Sequence, residues 1–194
     1  MAWRFWDAPA RQIFAGHLLL VVCCGFYLAW WCRAFRPGAA VPRVGGLSGV
    51  LLGAAAAAGL GGLGVLLAGI RRIAHGPGLL PGGAVLWGGA AAYALLLAFT
   101  LLVLGRPVTT ELALIVGWAV LELTALNVLY GASRLSAGCA AGLMVLTAAA
   151  FAASMVCYVL YYRLSAQAGF VSGILPLVTE AVCMAASAAA MLLA

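Results

Sequence analysis

Apolar residues run through this chain in six long blocks, separated by short stretches that hold glycine, proline and arginine. A helix needs about 20 apolar residues to cross roughly 30 Å of hydrocarbon. The blocks at about 13–32, 47–70, 84–104, 110–131, 138–162 and 171–193 each meet that length. They predict an all-α, polytopic membrane protein: one transmembrane domain over residues 1–194, with 1–12 as an interfacial segment.

The breaks are as informative as the spans. Trp3, Phe5 and Trp6 beside Arg4 and Arg11 suit the headgroup zone, and Trp30, Trp31, Arg33 and Arg36 mark the far side of the first span. The following apolar run is too long for a signal peptide, so the first span is expected to be retained. Gly105-Arg106-Pro107 leaves a turn short enough to fold spans 3 and 4 into an antiparallel hairpin. Span 2 carries Gly49 and Gly53 as a G-x-x-x-G step, a spacing that lets helix backbones approach closely; these two are the expected packing glycines. Its denser glycine stretch at Gly59–Gly64 is expected to weaken the helix. An offset of 91 residues aligns Ile70–Ala98 with Tyr161–Ala189, which raises a 3+3 inverted repeat as an architecture to test.

Composition then closes off other classes. Hydrophobic residues make up 67% of the 194 and charged residues 7%, too few charges to clothe a water-soluble surface of this size. The net charge of +6 comes from ten arginines and no lysine, placed between spans as anchors and not gathered into a nucleic-acid patch. They divide evenly between the two sides, so the positive-inside rule gives no orientation. The expected location is a prokaryotic plasma membrane. The expected surroundings are the lipid bilayer and either further copies of the chain or a partner subunit. Cys23, Cys24, Cys32, Cys139, Cys157 and Cys183 lie in or beside apolar runs without a C-x-x-C pair, which reads as packing.

Candidate chemistry rests on two of the four acidic residues. Glu122 lies eleven residues past Glu111, about 17 Å along a helix, and Glu180 falls near the middle of span 6. A carboxyl at that depth is costly and usually faces a bundle interior or a cavity. No arginine falls inside a span and the chain has no lysine, so both glutamates are read as protonated, hydrated, hydrogen-bonded or paired with an incoming cation; the structural alternative is a neutral glutamic acid bonded to a backbone carbonyl or a hydroxyl. Trp118 shares the stripe of Glu111 and Glu122, Asn127 is read as a bridge to another element, and Thr179 adjoins Glu180 one turn after Pro176. His17, Cys24 and Trp31 share one face of span 1, with His17 read as a satisfied interfacial histidine. Tyr158, Tyr161 and Tyr162 are read as an aromatic belt.

No metal-ligand spacing, nucleophile elbow or phosphate loop is present, and no cofactor is expected. Gly59–Gly64 matches G-x-G-x-x-G, but inside a membrane span the match lacks the strand and helix that the dinucleotide fingerprint needs. The leading expectation is transport or binding of a small cationic or neutral solute, with Glu122 and Glu180 handling a proton or cation. A non-catalytic membrane subunit is the first alternative and a lipid-modifying enzyme the second. In size and span number the chain resembles the substrate-binding components of energy-coupling-factor importers; the resemblance is architectural and carries no residue across.

Overall fold

The computed structural model describes residues 7–37, 46–81, 83–105 and 110–193, with the side chains of Thr110 and Tyr162 outside the described set. Six helices follow in order: α1 (Ala8–Ala34), α2 (Leu47–Arg72), α3 (Ala84–Leu102), α4 (Thr110–Gly131), α5 (Ala137–Leu160) and α6 (Ala166–Leu193). A single 3-10 turn, Tyr161–Arg163, joins the last two. All six are long and apolar enough to cross a membrane, as a multi-pass membrane protein requires. Among the described residues there is no strand.

The helix ends follow from local chemistry. Asp7 caps α1 by accepting from the backbone N–H of Ala10 at 3.1 Å, and Pro9 stands in the first turn, where it displaces no helical hydrogen bond. The helix therefore starts five residues before the expected span. Residues 1–6, with Trp3, Arg4, Phe5 and Trp6, lie outside the described residues. Ser136 caps α5 through the N–H of Cys139. The α4–α5 turn closes with Arg134 N–H donating to the Leu129 carbonyl, and Ser133 takes the left-handed conformation at φ 56°. α6 begins at Ala166, earlier than expected, and passes through Pro176 without ending.

Burial sorts the helices into a centre and a periphery. α4 is the most enclosed, and it packs along α5, with α6 alongside. α1 joins this group through α6. α2 lies against α1 and α3 against α4; on α3 only Thr100 is buried. Lipid-facing leucines and Trp87 cover the outside of α3.

The α1–α2 contact is made by glycine, though not by the expected pair. A Cβ on Gly16 would come within 2.6–2.8 Å of Leu66, and one on Gly69 within 2.7–2.9 Å of Ile13 and Pro9. Gly62 sits slightly farther off, with a built Cβ 3.0–3.1 Å from Leu19 and Leu20. These residues pair in one antiparallel register. Gly49 and Gly53 have nothing within 4 Å of a built Cβ, so within this chain the close approach falls elsewhere on α2. Nor does α2 break at Gly59–Gly64, because Gly59 and Gly62 are held against α1 over that stretch.

The 3+3 repeat is not confirmed. Such symmetry would match the α5–α6 pairing with an α2–α3 pairing, and α2 and α3 make no comparable contact. The aligned segments also differ in their breaks: the break between α2 and α3 spans 73–83, whereas the 3-10 turn leads almost directly into α6.

Candidate functional site

The polar centre of the molecule joins three helices. His17 on α1, Glu122 on α4 and Ser187 on α6 meet at 0%, 1% and 1% exposure. The Ser187 hydroxyl donates to Glu122 Oε1 at 2.5 Å. His17 Nε2 stands 3.3 Å from Glu122 Oε2, within ion-pair range but too poorly aligned for a hydrogen bond. On its other side His17 Nδ1 donates to the Ile13 carbonyl at 2.8 Å, which fixes the ring. Each group reaches the cluster from within a helix: His17 lies nine residues into α1, and Glu122 nine before the end of α4.

This corrects two expectations. Glu122 does have a basic partner in the bilayer, supplied by histidine where only arginine and lysine had been considered. His17 is accordingly not an interfacial residue. The signal was available in the heptad face His17–Cys24–Trp31, all three of which are buried. What spacing within α1 could not provide was the partner helix.

That face meets a second heptad on α6. Trp31 Nε1 donates to the Phe170 carbonyl at 3.2 Å, and a Cβ on Gly173 would strike the Trp31 indole. One heptad on, Glu180 lies in electrostatic reach of Cys24; a further heptad on, Ser187 meets the His17–Glu122 pair. Positions 31, 24 and 17 thus descend against 173, 180 and 187 along one seam.

Glu180 is half-buried and has no hydrogen bond or ion pair among the described residues. It lies near the thiols of Cys23 and Cys24, and Cys183 lies near both Glu180 and Glu122. Trp118 packs in a cluster with Cys24, Ala150, Cys183 and Met184, yet its buried indole N–H has no acceptor among the described residues. The Ser154 hydroxyl, one turn along α5 from Ala150, is also buried and unpartnered. Sequence reading did not single out Ser154 or Ser187, because a lone serine in an apolar helix carries no pattern.

The other expected residues lie apart. Asn127 accepts from the Leu80 N–H at 2.9 Å and donates to the Leu80 carbonyl at 3.3 Å, so it clips the segment before α3 to α4. Thr179 donates back to the carbonyls of Leu175 and Pro176 within its own helix, the usual back-bond of a helical threonine. Glu111 is exposed, outside the packing that buries Trp118 and Glu122. Tyr158 is buried against Leu112, Ile115 and Val116 and does not belong to a belt. Tyr161 stands near Trp31, and the Tyr162 side chain lies outside the described residues. All six cysteines are free thiols, and among the described residues no group of three His, Cys, Asp or Glu could hold a metal.

The order of contacts excludes a serine-hydrolase triad here. Ser187 bonds the carboxyl and not the imidazole, so no base faces the hydroxyl.

Comparison of the chain with known protein families, with curated proteins and with solved structures finds no match. The likeness to importer components therefore stays one of size and span number.

Proposed function

We propose that the chain binds and moves a small solute along the seam between α1, α4, α5 and α6, with Glu122 and Glu180 handling a proton or a cationic group. The indole N–H of Trp118, without an acceptor among the described residues, carries this reading, because Trp118 packs with Cys183, which lies near both carboxyls. A buried donor left without an acceptor costs about 1–3 kcal/mol. Such a group in a native interior calls for an explanation, and a bound water or ion beside it is one. Ser154 adds a second unpartnered hydroxyl, and Glu180 a carboxyl that a cationic or hydrogen-bond-donating group would complete. The matching solute is small, with an acceptor for Trp118 and a positive or donor group for Glu180.

Charge counting gives His17–Glu122 a part in this. With one proton between them the pair is neutral overall, either as imidazole and carboxylic acid or as imidazolium and carboxylate. Adding a proton leaves one uncompensated positive charge, and removing it leaves one negative charge. Both are expensive at zero exposure. The closed arrangement therefore requires one proton on the pair, and losing or gaining one favours opening.

A second reading has its own support. His17, Glu122 and Ser187 are dry and tightly held, as suits a cross-link in a membrane subunit that moves nothing. A panel of small cationic and neutral solutes, screened by thermal shift on the full chain in detergent, separates the two. Binding predicts a solute that stabilises the wild type and stabilises Trp118→Phe and Glu180→Gln much less. Equal shifts in all three proteins, or none from any solute, would leave the subunit reading standing.

A further inference from the structure

A cavity of about 780 Å³ opens at the end of the bundle where α1 begins and α6 finishes. Ser133, Arg134 and Ser136 of the α4–α5 turn line one side, and Tyr130, Ala190 and Leu193 give it an apolar floor. The segment after α2 is tied to the same end, where the Gly76 N–H donates to the Gly131 carbonyl at 2.7 Å.

The chemistry of this end is cationic. Arg11, Arg71, Arg72 and Arg134 all stand here against a single described carboxylate, Asp7. Asp7 Oδ2 pairs with Arg134 Nη2 at 3.0 Å, both side chains being partly exposed. A guanidinium carries five N–H donors in a planar fork that matches carboxylate or phosphate oxygens, so one contact leaves most of its donors free. Exposed pairs of this kind contribute only about 0–1 kcal/mol, and a competing oxyanion can displace one.

We propose that this cavity binds a phosphate-class oxyanion, with the Arg134 guanidinium as its charged anchor and the Ser133 and Ser136 hydroxyls as neutral donors. Asp7 occupies part of the Arg134 fork when the anion is absent and competes with it. The oxyanion has two sources, a free phosphate ion or the headgroup of an anionic lipid whose acyl chains follow the apolar floor. The site is independent of the solute seam, and neither depends on the other being right.

Asp7 makes the proposal sharply testable because its two oxygens do different work. Oδ1 caps α1 and Oδ2 pairs with Arg134. Asparagine caps a helix as well as aspartate does, so Asp7→Asn keeps the cap and removes the competitor.

The full chain is placed in phosphatidylcholine nanodiscs and titrated with radiolabelled inorganic phosphate. In parallel, native mass spectrometry counts phosphatidylglycerol retained from mixed micelles. In at least one arm, Arg134→Gln should weaken binding by about tenfold, the loss that follows from removing a charge-assisted hydrogen bond. Asp7→Asn should tighten it by several-fold in the same arm. A response in the phosphate arm identifies a free-anion site, and one confined to the lipid arm identifies a headgroup site. Binding that is absent from both arms, or unchanged or weakened by Asp7→Asn, overturns the proposal. The gain expected for Asp7→Asn guards against misreading an unfolded Arg134→Gln protein.

Discussion

α1 makes two seams, and they are held by opposite means. Toward α2 it offers Gly16, and the backbones close on each other through Gly16, Gly62 and Gly69 around Leu66 and Ile13. Toward α4 and α6 it offers His17, which joins Glu122 and Ser187. Residues 16 and 17 are neighbours in sequence, yet one is needed for having no side chain and the other for a polar side chain that reaches a partner helix. In a bilayer, burial of apolar surface drives helices together very little, so close packing and polar contacts must do it. Close packing suffices for a peripheral helix such as α2. The seam with α4 and α6 has a polar centre instead.

The two seams should fail differently. The largest effect is expected from Glu122→Ala, which strands a buried imidazole and a buried hydroxyl and should cost about 3–5 kcal/mol. Denaturant titration in mixed micelles measures this, and a loss within about 0.5 kcal/mol, the usual range for a surface change, would show that the polar seam holds nothing together. On the other seam, Gly16→Ala or Gly69→Ala inserts a methyl group where a neighbouring backbone already stands, for a loss of about 1–3 kcal/mol. Accessibility of Cys23 to a maleimide should rise in these variants, since Cys23 packs beside Gly59 at the same interface. Unchanged labelling and stability would mean that α2 is not anchored by this contact.

Smaller effects sharpen the contrast. Ser187→Ala removes one donor from a carboxyl that keeps its histidine, and should cost about 1–2 kcal/mol in the same titration. Gly49→Leu and Gly53→Leu should change the monomer by no more than about 0.5 kcal/mol, since nothing stands near either position. If either substitution instead shifts the oligomer distribution seen by native mass spectrometry, that face of α2 meets another chain.

Much of this architecture could be read from the sequence, and the division has a physical cause. Span length and hydropathy are properties of one helix at a time, so six spans could be located from their residues alone. Contacts between helices are not local properties. α3 and α4 have the same mean hydropathy, yet one is peripheral and the other central, and hydropathy alone does not distinguish them. In the same way Gly49 and Gly62 look alike in a glycine-rich span, and only the register against α1 decides which is used. Glu122 stood out because a carboxyl in an apolar run is costly wherever it points. His17 stood out only as part of a helix face and Ser187 not at all, because neither is costly enough alone to reveal a partner on another helix.

The pairing of one proton with one closed seam is tested most directly by uptake into proteoliposomes over a pH series, comparing wild type with Glu122→Gln. Glutamine can accept from Ser187 and donate to His17 Nε2, so the seam stays joined, but it has no carboxyl proton to lose. Wild-type uptake should change as pH rises and the pair gives up its proton, and that alkaline limb should be missing from Glu122→Gln. Superimposable profiles for the two proteins would contradict a proton-handling role for Glu122, and the absence of uptake of any solute at any pH would contradict transport itself.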